Sequence, residues 1–439
     1  MRNRYKVFIQ TFGCQMNVHD SENIKEYLKS AGFELTSSEE EADIFILNTC
    51  MVRNTAEQRA IGRLNSFYRH KINRDVLIGC AGCMSSFYGH KLKEKIPQLD
   101  FIVTTQDIPD IVDIINIAMN KKVFRNYTDH KFIPDNRNSL RSNDFQAWVS
   151  IMKGCDNFCS YCIVPFTRGR EHSRYMEDIL EEIRYLINNG VKEIVLLGQN
   201  VNSFGKGLKE GVDFPTLLRK IEEIDGDFWV RFMTSHPKDF SFELVDVISN
   251  SKKLCNHIHL PLQSGSNRIL DLMNRHYDLD LYRNIIKKIR SDIPDCSITT
   301  DIIVGFPGET EEDFQETLDA VKEFRYDGMF SFIYSDRTGT KAEKMKDKID
   351  EKIKHERFQR LMKIQEINTQ NAHRDYLGKI TRVLVERTSG KVKGQLFGHD
   401  YHNKVILFNA EKELIGTFVN VKITEIGNWA MKGELISKM

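Results

Sequence analysis

The chain has 439 residues, 41% hydrophobic and 28% charged, with a formal net charge of +1. At roughly 150 residues per domain this length implies about three domains, and a composition so near the globular average excludes a disordered chain and disfavours an integral membrane protein. The net charge says little about nucleic acid, but Lys and Arg outnumber Asp and Glu between Ala372 and Met439, a distribution compatible with phosphate binding and equally with a solvated surface.

In chain order, the basic start Met1-Arg-Asn-Arg-Tyr-Lys is followed by Val-Phe-Ile-Gln-Thr-Phe-Gly, too short and polar for a signal-peptide core. No run of about 18 apolar residues follows anywhere. A cytoplasmic protein without membrane contact is expected. Residues 5–10, 43–47, 76–78 and 101–103 read as strands and 20–30, 56–68 and 89–95 as helices, the alternation of an open parallel α/β sheet. The polar stretch 121–144, holding Pro134, reads as a linker.

Strands are then expected at 149–152, 193–197, 229–233, 257–260, 297–304 and 328–334. Helices such as 176–188 and 311–324 lie between them, the latter opened by Thr310 as N-cap. Six βα-type units imply a barrel or part of one. A charged helix over 350–375 follows, with Phe358, Leu361, Ile364 and Ile367 near a helical period. The last 60 or so residues break into short β runs at 380–385, 391–397, 404–408, 418–423 and 432–436, punctuated by glycines, and imply a small β-barrel. The expected division is 4–120, linker 121–144, 145–372 and 373–437.

Nine cysteines in a cytosolic chain point to metal or catalysis rather than disulfides. Cys155, Cys159 and Cys162 form C-x3-C-x2-C. Three thiolates hold three irons of a cubane and leave the fourth open to a small molecule. S-adenosylmethionine can chelate that iron through its amino and carboxylate groups. A zinc site is the alternative, but zinc sites usually close with four ligands, and the nearest spare one, His172, lies ten residues on. Cys14, Cys50 and Cys83 each fall just after an expected strand of the first domain, where a parallel sheet gathers strand ends along one binding edge. They form a second three-thiol site or are three unrelated buried thiols. Cys80 is a rival ligand, whereas Cys255 and Cys296 read as ordinary barrel residues.

The segments Gln10-Thr-Phe-Gly-Cys-Gln-Met-Asn, Asn48-Thr-Cys-Met-Val-Arg, Gly82-Cys-Met, Gly154-Cys-Asp-Asn-Phe-Cys-Ser-Tyr-Cys-Ile-Val-Pro-Phe-Thr-Arg-Gly-Arg-Glu, Leu197-Gly-Gln-Asn-Val-Asn-Ser-Phe-Gly, Thr234-Ser-His-Pro-Lys-Asp, His259-Leu-Pro-Leu-Gln-Ser-Gly-Ser and Asp301-Ile-Ile-Val-Gly-Phe-Pro-Gly-Glu-Thr occur in one order. Through them the sequence resembles, over essentially its whole length, the methylthiotransferase family of radical S-adenosylmethionine enzymes, and within it the tRNA-modifying, MiaB-type branch. The resemblance implies an N-terminal methylthiotransferase domain, a partial (β/α)6 radical SAM barrel and a C-terminal TRAM β-barrel that grips RNA. It also implies Cys83 rather than Cys80 as third auxiliary ligand, two 4Fe-4S clusters, and two S-adenosylmethionine molecules per turnover. The sequence departs from the family at Ser85-Ser86, where Ala-Gln is common, and at Gly398-His399, where Gly-Arg is usual.

The chemistry so implied places a methylthio group on C2 of adenosine 37, beside the anticodon in the tRNA anticodon stem-loop. One S-adenosylmethionine yields the 5′-deoxyadenosyl radical that abstracts the unactivated hydrogen, and the second methylates a cluster sulfur. Flavodoxin or ferredoxin is the expected electron donor. Gln199, Gln263 and Gly305 follow expected strands and are candidates for orienting the cofactor. His236 and His259 read as structural, and Trp229 as core. Two sister activities, on an aspartate of a ribosomal protein and on threonylcarbamoyl-adenosine in tRNA, are the competing substrates; a non-catalytic iron-sulfur RNA-binding protein is the competing class, although a purely structural site gains nothing from a missing ligand.

Overall fold

The computed structural model describes residues 5–51, 54–120, 141, 143–390 and 392–438. Nearly all of the expected linker, residues 121–140 and 142, lies outside them. The chain divides into two compact units. One comprises Met1–Ser142, Lys153–Asp156 and Cys162–His172; the other comprises Asn143–Met152, Asn157–Tyr161 and Ser173–Met439.

The first unit is built on a five-stranded parallel sheet in the order β2-β1-β3-β4-β5, with β1 Lys6–Phe12, β2 Glu34–Thr36, β3 Ile44–Thr49, β4 Leu77–Gly82 and β5 Phe101–Val103. Every residue of β3 is buried, as expected for a central parallel strand covered on both faces. Its side chains alternate: Phe45 and Leu47 join a core with Ala60, Leu64 and Phe67 of helix α2 (Asn54–Asn73), while Ile44 and Ile46 join Ile24 and Leu28 of α1 (Gln15–Ser30) and Ile111 and Ile115 of α5 (Ile111–Met119). The expected helix over 89–95 is present as α4 (Lys91–Lys95), and an unexpected short helix, α3 (Cys83–Tyr88), precedes it, ended by Gly89 at φ +52°. Helix α6 (Val164–Arg168) packs on α3.

In the second unit six parallel strands form two sheets. The orders are β10-β9-β6 and β11-β12-β13, from β6 (Gln146–Ser150), β9 (Glu193–Leu197), β10 (Trp229–Phe232), β11 (His257–His259), β12 (Ser297–Val304) and β13 (Gly328–Ile333). The two-residue strands β7 (Met152–Lys153) and β8 (His172–Ser173) bracket the cysteine loop in sequence. A parallel bridge between Val230 and Leu254 links β10 to the approach of β11. Helices α7 (Met176–Asn188), α8 (Phe214–Glu222), α9 (Phe242–Ser249), α10 (Asn267–Leu272), α11 (Leu279–Asp292) and α12 (Glu311–Phe324) supply the outer layer of this partial barrel. Helix α7 buries Ile179, Leu180, Ile183 and Leu186 at helical spacing, and Thr310 caps α12 through Asp313.

Helix α13 (Glu351–Arg374) keeps part of the expected stripe, with Leu361 buried and Ile364 packed partly buried on the core, and adds polar residues to it. Lys354, Arg357, Leu361 and Gln365 face inward, and Ile367 is 58% exposed. The polar members find partners: Gln365 Nε2 donates to the Tyr326 carbonyl at 2.9 Å and Arg357 Nη1 to Glu309 at 2.8 Å. Hydrogen bonding as well as hydropathy therefore sets the phase of this helix.

The last five strands, β14 (Ile380–Thr388), β15 (Gln395–Asp400), β16 (Val405–Asn409), β17 (Phe418–Glu425) and β18 (Met431–Lys438), close into a barrel in the order β14-β15-β16-β18-β17. It has its own core. It also packs through Leu384 and Phe418 on Trp229 and Cys255, at the N-terminal ends of β10 and β11, with Lys404 Nζ 2.6 Å from Asp327 just before β13. The C-terminal barrel thus packs at the end of the partial barrel opposite the C-terminal strand ends, where such folds build their sites. Among the described residues no helix is long and apolar enough to cross a membrane.

Candidate metal and cofactor site

In the first unit, register places the candidate thiols. Phe12 pairs with Thr49 and Thr49 with Gly82, so β1, β3 and β4 end in one row, and Cys14, Cys50 and Cys83 follow from it. Cys14 is the N-cap of α1, which starts at Gln15 and not at the expected residue 20. Asn17 holds this turn. Its Oδ1 accepts from the Cys14 amide at 3.4 Å and from the Cys14 thiol at 3.3 Å, and its Nδ2 donates to the Thr49 carbonyl at 3.1 Å. Asn48 returns a hydrogen bond to the Asn17 carbonyl at 2.8 Å. These two buried amides explain why asparagine occupies both motif positions.

The three thiols sense one another. A hydrogen bond from the Cys50 thiol, helped by the charge of Arg168 and the amides of Asn17 and Met16, brings Cys14 down to about 6 against the upward push of burial. Burial holds Cys83 above the ordinary thiol value. Arg168 opposes this, while Asp20 and Cys14 add to it. Cys80 stands apart: it points into the core beside Thr49, and burial pushes its thiol up to about 11. All nine cysteines are free thiols. Among the described residues no three His, Cys, Asp or Glu side chains stand close enough to hold one metal ion. Thiolates that each hold a different iron of a cubane need not share one. At the departure from the family pattern, Ser85 Oγ donates to the Cys80 carbonyl at 2.8 Å and Ser86 Oγ accepts from the Thr105 amide at 2.9 Å, so the two serines pin the turn after β4.

Cys155, Cys159 and Cys162 lie within one eight-residue loop and are all partly exposed. In the first unit Gly154 (φ +77°) precedes Cys155. A Cβ there would lie 1.9 Å from the Arg170 carbonyl oxygen, so only glycine fits, and the Cys155 amide donates to the Gly169 carbonyl at 3.2 Å. In the second unit Asn274 donates to the carbonyls of Asn157 and Phe158, the latter residue left-handed at φ +47°, and the Ser160 amide donates to the Met273 carbonyl at 2.9 Å. Arg275, buried, donates from Nη1 to Cys159 Sγ at 3.3 Å and from Nη2 to the Pro261 carbonyl at 3.3 Å.

The remaining candidates follow strand ends of the second unit. Gln199 follows β9 and is partly buried. Gln263, at φ +71°, bridges to β12: its amide donates to the Asp301 carbonyl at 2.8 Å and its carbonyl accepts from the Ile303 amide at 2.9 Å. Gly305 (φ +73°) donates its amide to Glu309 Oε2 at 2.9 Å. His236 caps a short 3-10 turn, accepting from the Lys238 amide at 3.2 Å, and burial keeps it neutral. His259 sits between Thr299 Oγ1 at 3.0 Å and Asp301 at 3.5 Å. Trp229 is core, between Tyr401 and Phe418. His399, at the second departure, is engaged by Glu386. Single-residue reading of the sequence missed Asn17, Asn48, Asp20, Arg168 and Arg275. The first two and the arginines stood inside or near motifs, but nothing in a sequence marks an arginine as buried.

Burial pushes Glu309 up to about 7, with the Gly305 amide and Arg357 opposing. Its folded-state value lies above the ordinary 4.5. The stability it contributes is therefore full below that ordinary value and is lost as pH rises through the folded value. The Glu309→Gln variant should lack this decline, and urea midpoints measured from about pH 4 to about pH 8 check it.

Three family patterns match the chain: Uncharacterized protein family UPF0004 over residues 6–104, the Radical SAM superfamily over 149–321 and the TRAM domain over 374–436. The proteins named tRNA-2-methylthio-N(6)-dimethylallyladenosine synthase from Thermoanaerobacter pseudethanolicus, Carboxydothermus hydrogenoformans and Clostridium botulinum are 46%, 46% and 47% identical to it. Each alignment covers 98% of this chain, and 92%, 99% and 96% of the respective relative. Among solved structures, the radical S-adenosylmethionine methyltransferase TsrM of Kitasatospora setae superposes with a TM-score of 0.56 at 13% identity, covering 75% of this chain and 73% of that one. The cobalamin-dependent S-adenosylmethionine radical enzyme OxsB gives 0.51 at 12%, over 82% and 56%. At such identities the likeness is one of fold.

Proposed function

Because the chain belongs to the tRNA-2-methylthio-N6-dimethylallyladenosine synthase family, within the radical S-adenosylmethionine superfamily, we propose that it transfers a methylthio group to C2 of N6-isopentenyladenosine at position 37 of tRNA, giving 2-methylthio-N6-isopentenyladenosine. The observation that carries this reading is the pairing of a C-x3-C-x2-C loop with three further thiols gathered at one sheet edge. A 4Fe-4S cluster and S-adenosylmethionine follow from the superfamily. We assign that cluster to Cys155, Cys159 and Cys162, and a second one to Cys14, Cys50 and Cys83. The donor chemistry fits, since each set offers three sulfurs, one for each of three irons of a cubane. When bound, these groups and two S-adenosylmethionine molecules supply the electron, the radical and the methylthio group that an unactivated C–H bond requires.

The chain's own work is placement. Gly154 and the Cys155 amide fix one end of the loop, and Asn274 and Ser160 fix its middle. Arg275 offers Cys159 a cationic donor, which suits a thiolate better than a thiol. Gln199, Gln263 and Gly305 are assigned to the S-adenosylmethionine face of the partial barrel, on the support of their positions after β9, β11 and β12. Residues 4–120, 145–372 and 373–437 serve as methylthio-donating, radical and RNA-gripping modules, joined after the first by 121–144. Flavodoxin or ferredoxin is the assigned electron donor, and the cytoplasm, where tRNA is found, the assigned location.

Nucleoside mass spectrometry tests the reading: tRNA carrying isopentenyladenosine or threonylcarbamoyl-adenosine is incubated anaerobically with reconstituted protein, S-adenosylmethionine and a reductant. The expected result is 2-methylthio-isopentenyladenosine alone, lost on Cys159→Ala. Formation of 5′-deoxyadenosine with neither tRNA changed would reject the substrate and turn the search to the ribosomal protein.

A further inference from the structure

Arg168 and Asp20 form an ion pair at 2.7 Å with both side chains almost wholly buried. Such a pair is expensive: taking both charges out of water costs several kcal/mol per ion, and well-packed apolar residues would often serve stability as well or better. Its location gives it a use. Asp20 lies on α1, six residues after Cys14, and Arg168 closes α6, six residues after Cys162. Helix α6 packs on α3, which Cys83 opens, so the Arg168 guanidinium lies within electrostatic reach of the Cys83 thiol and of Cys14. One buried cation is thus paired with a buried carboxylate near the buried Cys83 and the more exposed Cys14, and a unit charge out of water acts far more strongly than in solvent.

Resting on the assignment of Cys14, Cys50 and Cys83 as ligands, we propose that Arg168, anchored by Asp20, is the positioning residue that sets the charge environment, and so the reduction potential, of the group those thiols hold. Hydrogen bonds to ligating sulfur and local net charge are the protein's main means of moving such potentials. Arg168 favours the more reduced, more negative state, and Asp20 moderates it. A lysine would keep the charge but not the planar fork that Arg168 offers Asp20.

The test uses the full chain with Cys155, Cys159 and Cys162 replaced by alanine, reconstituted with iron and sulfide, and a redox titration followed by electron paramagnetic resonance. Arg168→Gln should move the midpoint to more negative potential, Asp20→Asn to more positive potential, and Arg168→Lys should stay nearest the parent. Opposite shifts from the two halves of one ion pair are what a merely structural role does not produce. Midpoints unchanged in both, or moved in the same direction, overturn the inference while leaving the ligand assignment standing. A parent that binds no iron overturns the assignment and the inference with it. Should Arg168→Gln fail to fold, the positive shift of Asp20→Asn decides alone.

Discussion

Alanine at Cys14, Cys50 and Cys83 together is expected to abolish the methylthio product while 5′-deoxyadenosine formation continues, and to remove about half of the iron, roughly four atoms per chain. The two activities separate because the C-x3-C-x2-C loop draws its placement from Gly154, Asn274, Ser160 and Arg275, none of which depends on the three thiols for its recorded hydrogen bonds. The fold should survive, since Cys14 is exposed and each of the other two sites loses only one sulfur from its packing. Cys80→Ala is the control. Its thiol lies in the core beside Thr49, away from the strand-end row, so iron content and product should stay at the parent level with a stability loss of about 1 kcal/mol. Iron and sulfide analysis and nucleoside mass spectrometry on the two variants decide between Cys83 and Cys80 as the third ligand.

That choice marks how far the sequence reaches. The positions of Cys14, Cys50 and Cys83 after strands were legible because apolar runs bounded by polar residues announce strands, and parallel topology does the rest. What a sequence cannot display is alternation across a buried strand: β4 is buried at almost every position, so nothing local distinguishes Cys80, directed into the core, from Cys83, which opens α3. The resemblance to a family made that distinction, not the periodicity. Asp20 and Arg168 were silent for a related reason. Charged residues are read as solvent-facing by default, and α1 inverts that default by burying Asn17, His19, Asp20, Ser21, Glu22 and Asn23. A helix whose inner face is this polar gives no hydrophobic period, so its start was read five residues late.

The outer layer of the partial barrel was legible from amphipathicity at Met176–Asn188, and from amphipathicity and a cap together at Glu311–Phe324 behind Thr310. Legibility ended elsewhere. In the first unit the run Ile111–Met119 is apolar nearly throughout and carries no period to separate helix from strand. In α13 Leu361 shares the buried stripe with Lys354, Arg357 and Gln365, whose stems pack and whose heads find partners, while Ile367 points to solvent. The closing β-barrel was recognisable from its short runs and glycines, but its attachment was not, because its main polar anchor is again a buried arginine.

That anchor gives the largest expected stability effect. Arg231 on β10 donates from Nε to Glu193 at 2.5 Å, from Nη2 to the Asp400 carbonyl at 2.5 Å and from Nη1 to the Tyr401 carbonyl at 3.4 Å, with its guanidinium near the ring of Trp229. One side chain thereby joins two strands of the partial barrel to the end of β15. Arg231→Met keeps much of the packing but leaves Glu193 buried with Gln146 as its remaining polar partner and deprives two carbonyls of their donor. Removing one member of a buried pair costs about 3–5 kcal/mol, whereas removing both can be nearly neutral. The expected order in urea unfolding is therefore parent, then the double variant Arg231→Met with Glu193→Leu, then Arg231→Met alone. The double variant should recover most of the loss, a coupling that only a direct pair produces. Because the arginine holds the C-terminal barrel, proposed above to grip RNA, against the N-terminal ends of the partial-barrel strands, the single variant should also raise KM for tRNA while leaving 5′-deoxyadenosine formation without tRNA unchanged. A fall in both together would mean that the defect spreads through the barrel to the cofactor face.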